Sequence, residues 1–398
     1  MSNVDNAFFK IFLAFSFVCF PFKYVLLLIS HVDAWNDFGS IHASQLVSGR
    51  LDISDFIIYF LRFLILFLVS VMTIYFLINS KLNSRIRNGA KSFKIDIDTK
   101  GINNNRVLIL IILSLIFAFF AKEFKVFYLT GGVEPLPFKL FGQIKIIALC
   151  LPPAVAYALY CRGFNLISLV YVVLFSLYYL SISGSKFTLL FPLLMYCMLI
   201  GKLRYISVLM ALIIFIYTFF NPYAFREYVL LHSDEFNFYE LLEFTFESTP
   251  NLTRILAGII ALVDRFPGAE TIINITNYNY YGFVIGNMSD YYNSEVLNAS
   301  SVNGSFAVSL FGYLFLLFGY LDVLGFVIYT AIIFVIHGFI ITYVKNDYLK
   351  NISSASFYMF YLSLFLDGNF HLFFTHAALF YVTLILVLVT NFYKIKVI

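Results

Sequence analysis

Charge is what this sequence has least of. Asp, Glu, Lys and Arg together make up 12% of the 398 residues while 61% are hydrophobic, against roughly a quarter charged in a soluble domain. That balance excludes a soluble globular protein and makes the chain an integral membrane protein. Cysteine is nearly as scarce. Cys19, Cys150, Cys161 and Cys197 all lie in or at the ends of apolar runs, so no disulfide framework and no Cys-based zinc site is readable. HExxH, GxxxxGKS/T and GxGxxG are missing too, which leaves zinc hydrolysis and nucleotide-driven transport without sequence support. Asp96-Ile97-Asp98 imitates the DxD metal triad of nucleotide-sugar transferases, but it stands in a short basic loop with no room for a nucleotide-binding fold. No metal, no cofactor and no nucleic-acid partner is expected.

What is present is a series of apolar runs of membrane-spanning length. With about 20 residues needed to cross the hydrocarbon, spans are expected near 8–30, 56–79, 107–121, 144–161, 166–182, 187–201, 205–221, 322–344, 353–367 and 372–392. The expected fold is all-α, with about 10 transmembrane helices (range 10–12). The first run is too long for a signal-peptide core and lacks a small-residue cleavage pattern, which favours a retained first span. Lys81, Arg85, Arg87, Lys91, Lys94, Lys100 and Arg106 crowd between the second and third spans, so that loop is expected on the cytoplasmic side. Alternation then puts both termini inside. It divides the chain into an N-terminal bundle (1–221, about seven spans), an outward polar loop (222–305), and an interfacial helix with about three further spans (306–398).

The polar stretch from Asn221 to Ser305 carries ten acidic residues, three arginines, one histidine and fifteen aromatics, a mixture suited to a sugar-binding cleft. Glu240, Glu243 and Glu247 recur at helical spacing, so 238–248 reads as a helix on the membrane surface. Ser248-Thr249-Pro250 then starts a second helix over 251–266. At 100° per residue Arg254, Gly258, Ala261 and Arg265 fall on one face of it, with the arginines about 16 Å apart along the axis. That face either takes an anionic ligand or meets lipid phosphates. Lys122, Lys125, Lys139, Lys145, Lys186 and Arg226 also stand on the side where topology disfavours positive charge; lysines near span ends can equally snorkel to headgroups. The Ser181-Ile182-Ser183-Gly184-Ser185-Lys186 turn frees backbone N–H groups beside a lysine and can bind an anion, or it serves as a tight interhelical turn. Phe311-Gly312-Tyr313 recurs as Phe318-Gly319-Tyr320, and seven-residue spacing puts both glycines on one face of a short helix at 306–320 for close contact. Asp367-Gly368-Asn369-Phe370-His371 is expected to form an outward turn.

This layout resembles the O-antigen or capsular repeat-unit polymerases, the Wzy type. The likeness rests on the ten-to-twelve-span layout, the Ser-Gly-Ser-Lys turn at 183–186, the large late outward loop, and the Asn303-Gly304-Ser305 to Phe318-Gly319-Tyr320 segment leading into a span. The paired Arg-x10-Gly motifs of some members are absent, since Arg265 stands where the glycine after Arg254 would be. The resemblance implies a GT-C-like glycosyltransferase at the outer face of a bacterial inner membrane. It would polymerise undecaprenyl-diphosphate-linked repeat units, with the pathway's flippase and chain-length regulator as partners. Within that implication Arg254, Arg265 and Lys186 hold the diphosphates, and Asp264 or His232 is the acceptor's base. Tyr278, Tyr280, Tyr281 and Tyr291 stack on sugars, with Asp367 and His371 as further site candidates. An O-antigen ligase, or a non-enzymatic flippase of the same lipid-linked unit, is the alternative.

Overall fold

The computed structural model describes residues 3–29, 53–79, 95–97, 166–183, 186–201, 268–277, 309–342, 347–367 and 395–397, shorter helical pieces within 108–116 and 150–160, and helical positions at 240, 243, 259 and 263. In chain order the elements are α1 (Asn3–Phe17), α2 (Lys23–Ile29), α3 (Ile53–Asn79), β1 (Ile95–Ile97), α4 (Leu166–Ser183), α5 (Lys186–Ile200), α6 (Ala269–Asn277), α7 (Leu310–Phe318), α8 (Asp322–Thr342), α9 (Asp347–Asp367) and β2 (Ile395–Val397). The described chain is helical throughout, except for one antiparallel ribbon in which Ile95 faces Val397 and Ile97 faces Ile395. Nothing in the residue pattern predicts that ribbon. It ties the 80–106 stretch to the C-terminal tail, two segments that the distribution of basic residues assigns to one side.

Among the described residues, three stretches are long and apolar enough to cross a membrane: Asn3–Leu28, Phe56–Asn79 and Leu310–Thr342. Each has a different internal geometry. In the first, Pro21 removes one N–H from the helical ladder and widens the turn Val18–Phe22 to a π-turn, so that the Lys23 N–H reaches the Val18 carbonyl. The second runs unbroken as α3. The third counts 33 residues, but Phe311 stacks on Phe326 with centroids 4.3 Å apart, so α7 folds back along α8 and the chain reverses inside this stretch. Gly319 breaks it. Its φ of 57° ends α7, and a single 3-10 turn, Gly319–Leu321, leads into α8.

Gly312 and Gly319 therefore do not share one helix face for close contact, as their spacing suggests. Gly319 is a C-cap, where glycine escapes the penalty that a Cβ carries at positive φ. Close approach falls instead to Gly325, where an added Cβ would lie 3.2 Å from Phe318 Cδ2. At the other end of α7, Ser309 Oγ accepts from the Gly312 N–H at 3.2 Å and caps the helix.

The core is organised around α9, which packs on α1, α5, α7 and α8. Every residue from Ile352 to Leu366 is buried, as expected of a helix surrounded by others. The helix starts at Asp347, more than a turn before the expected 353, because the polar residues Asp347 and Lys350 extend it as an i,i+3 ion pair at 3.2 Å. Tyr358 donates to Asp5 Oδ1 at 2.5 Å and stacks on Phe8 with centroids 4.0 Å apart. Tyr361 shares a 2.9 Å hydrogen bond with Thr330. Away from α9, side chains such as Ile57, Leu68 and Phe76 on α3 and Ile328, Ile332 and Phe339 on α8 remain exposed, which is the face an apolar solvent covers.

Candidate functional site: an ion pair at a helix break

Most of the residues singled out from the sequence lie outside the described residues: His232, Arg254, Asp264, Arg265, Tyr278, Tyr280, Tyr281, Tyr291 and His371. Lys186 and Asp367 are described as the first residue of α5 and the last of α9. Both belong to one end of the bundle. Gly201, just past α5, meets Asn3 at the start of α1, so Lys186 begins α5 at the end away from the N-terminus. Asp367 comes two residues after Phe365, whose ring packs edge-on to those of Phe311 and Phe326. Of the polar stretch, Glu240 and Glu243 are helical and exposed, while Ile259 and Val263, one turn apart, face inward.

Pro267-Gly268 marks the expected end of the loop helix, yet the chain is helical again directly after it, over a segment that the sequence pattern leaves unassigned. Residues 269–277 form α6, with Ala269, Thr271, Ile272, Ile273 and Ile275 buried. This helix packs on α2, on the π-turn and on α7. Gly268 makes that seat possible: a Cβ there would fall 2.0 Å from the Cys19 carbonyl oxygen. Part of the polar stretch is thus lodged in the bundle against the first span.

Beside this seat an ion pair joins two of the membrane-spanning stretches. Arg62 Nη2 donates to Asp322 Oδ2 at 3.2 Å, with the Asp322 side chain 2% and the Arg62 side chain 17% exposed. Asp322 opens α8, and its other oxygen accepts from the Val323 N–H at 2.8 Å. Arg62 sits on α3 next to Phe63, whose ring meets Phe20 of the π-turn and Tyr24 of α2. Two rings fix the guanidinium: its Cζ lies 4.3 Å from the centroid of Phe315 and 5.0 Å from that of Tyr320. Those two rings meet edge to face at 5.7 Å, so the cation occupies a corner of aromatic faces, an attraction that strengthens out of water.

Taking an arginine and a carboxylate out of water costs several kcal/mol per ion. One 3.2 Å bond does not use what the guanidinium offers. Of its five N–H donors, one is engaged by Asp322, and Nε is buried with no hydrogen-bond partner among the described residues. An ionisable residue inside a span is by default a functional candidate. The sequence carried a signal for it: Arg62 is the only charged residue between Asp55 and Lys81. No family model matches the chain, and no curated protein or solved structure matches it either.

Proposed function

We propose that the protein is a glycosyltransferase that polymerises undecaprenyl-diphosphate-linked oligosaccharide repeat units at the outer face of a bacterial inner membrane. The observation that carries this reading is the acidic, aromatic-rich stretch 221–305 between apolar spans, with its own helix α6 packed into the bundle. A lipid-linked donor needs its sugar-binding surface joined to the membrane domain rather than tethered beside it, because the leaving diphosphate stays at the membrane surface. Fixed cations there stabilise the charge that develops on that leaving group. In this reading Arg254, Arg265 and Lys186 hold the diphosphates, Asp264 or His232 removes the acceptor's proton, and the tyrosines at 278, 280, 281 and 291 stack on sugars. Both termini are cytoplasmic and the 222–305 loop faces out. The contacts of Gly201 with Asn3 and of β1 with β2 support that arrangement, since each joins segments assigned to the same side.

Deletion of the gene followed by gel analysis of surface polysaccharide tests the reading. The expected result is glycan capped at a single repeat unit with the long ladder gone. Loss of even the single unit would point to a flippase, and polymer left on its carrier lipid would point to a ligase.

A further inference from the structure

We propose that Arg62 binds the phosphate group of a membrane lipid, reached sideways from the bilayer through the α7–α8 break. The depth of the site motivates this. On α3 the exposed apolar side chains run from Phe56 to Phe76, about 30 Å of helix, which is the thickness of a hydrocarbon core. Arg62 lies six residues inside that band, roughly 9 Å below its edge. At the same level the helix is interrupted over Gly319–Leu321, and Tyr320 and Leu321 are 69% and 64% exposed.

Irregular backbone and charge at hydrocarbon depth persist only where protein or a polar occupant covers them. Leu321 at the break and Leu324 and Ile328 just beyond it are exposed, so the break faces the bilayer and an occupant can arrive from there. A lipid phosphate fits what the site offers. The guanidinium fork matches phosphate oxygens in pairs, and Arg62 spends one Nη2 donor on Asp322 while its side chain keeps 17% of its surface exposed. Phe315 and Tyr320 hold the guanidinium plane, so little freedom is lost when the ligand arrives. A phospholipid headgroup and a prenyl diphosphate share this chemistry. Asp322 competes with either of them for the cation.

That competition separates a binding site from a purely structural pair. The test uses the full-length protein in detergent micelles, titrated with phosphatidylglycerol, a short-chain prenyl diphosphate, or diacylglycerol, and read by native mass spectrometry. Wild type should retain one phosphate-bearing lipid and no diacylglycerol. Arg62→Gln/Asp322→Asn removes both charges together, which leaves no uncompensated buried ion. It should elute as a folded species and bind about tenfold more weakly or worse, the loss expected from one charge-assisted contact. Asp322→Asn alone should bind several-fold more tightly. The lipid held more strongly by wild type identifies the source. Unchanged binding in the folded double variant overturns the proposal, and so does weaker binding in Asp322→Asn, because a structural pair predicts loss from either change. The inference does not rest on sugar transfer: the deletion phenotype and the lipid titration can fail separately.

Discussion

Substituting Gly268 with alanine puts the seat of α6 to a quantitative test. An added Cβ falls 2.0 Å from the Cys19 carbonyl oxygen, where a carbon and a carbonyl oxygen rest at about 3.3 Å. The opposing atom is backbone, held by the π-turn, so no rotamer change relieves the clash and the start of α6 must withdraw by about 1.3 Å. Ile272, Ile273 and Ile275 then lose contact together. Each is fully buried, which is worth roughly 1.5–3 kcal/mol per side chain, and a gap of about 0.5–1 Å already forfeits a quarter to a half of the dispersion well. The combined loss is roughly 1–4 kcal/mol. For a large domain that lowers the melting midpoint by roughly 2–4 °C per kcal/mol, which is measurable by size-exclusion thermostability of a fluorescent fusion in detergent. The same withdrawal shifts the polar stretch relative to the first span, so a surface-glycan ladder at matched protein level should shorten. A Gly268→Ala variant that melts within about 1 °C of wild type would refute the close seating of α6.

Two further outcomes are expected. Thr330→Val and Tyr361→Phe each break the 2.9 Å bond between α8 and α9, and a double-mutant cycle on thermal stability should give a coupling of about 0.6 kcal/mol, the average for hydrogen bonds between membrane helices, and no more than about 1.7 kcal/mol; additive losses would mean the bond contributes nothing. Single cysteines at Ser92 and Ser294, in a background without the native cysteines, should label with an impermeant thiol reagent in whole cells at 294 only; the reverse pattern would sink the outward assignment of the polar loop.

The membrane-spanning stretches are legible because length and apolarity alone mark them, and the breaks inside them are half legible. Pro21 stands in plain view in the first run, whereas Gly319 looks like a packing glycine because its repeat with Gly312 matches two helical turns. Only the backbone shows that one is in the helix and the other ends it. The segment Ala269–Asn277 escapes the sequence pattern for a different reason: Thr271-Ile272-Ile273 is β-branched throughout, a composition that disfavours helix, and burial against α2 and α7 overrides the local preference. The first turn of α9 escapes it because its charges belong to the end of the helix that reaches water. The ion pair is hidden by distance. Arg62 and Asp322 stand 260 residues apart, and an arginine in an apolar run does not announce its partner.

The two interrupted spans change geometry at the same place, and that coincidence explains why polar groups collect there. The π-turn at Val18–Phe22 and the 3-10 turn at Gly319–Leu321 are joined through Phe20 and Phe311, whose rings meet edge to face at 5.4 Å, and through Phe63, the neighbour of Arg62. A regular helix satisfies its own carbonyls and has nothing to offer a neighbour; an interrupted one leaves them available. Close approach of Gly268 covers the Cys19 carbonyl, and Asp322 accepts from the Val323 N–H while holding Arg62. Irregular backbone at one end of an apolar bundle thus draws in both a segment of the polar stretch and a buried cation. Straightening the π-turn would remove the seat of α6, and straightening Gly319–Leu321 would part Phe311 from Phe326 as well as Tyr320 from Arg62.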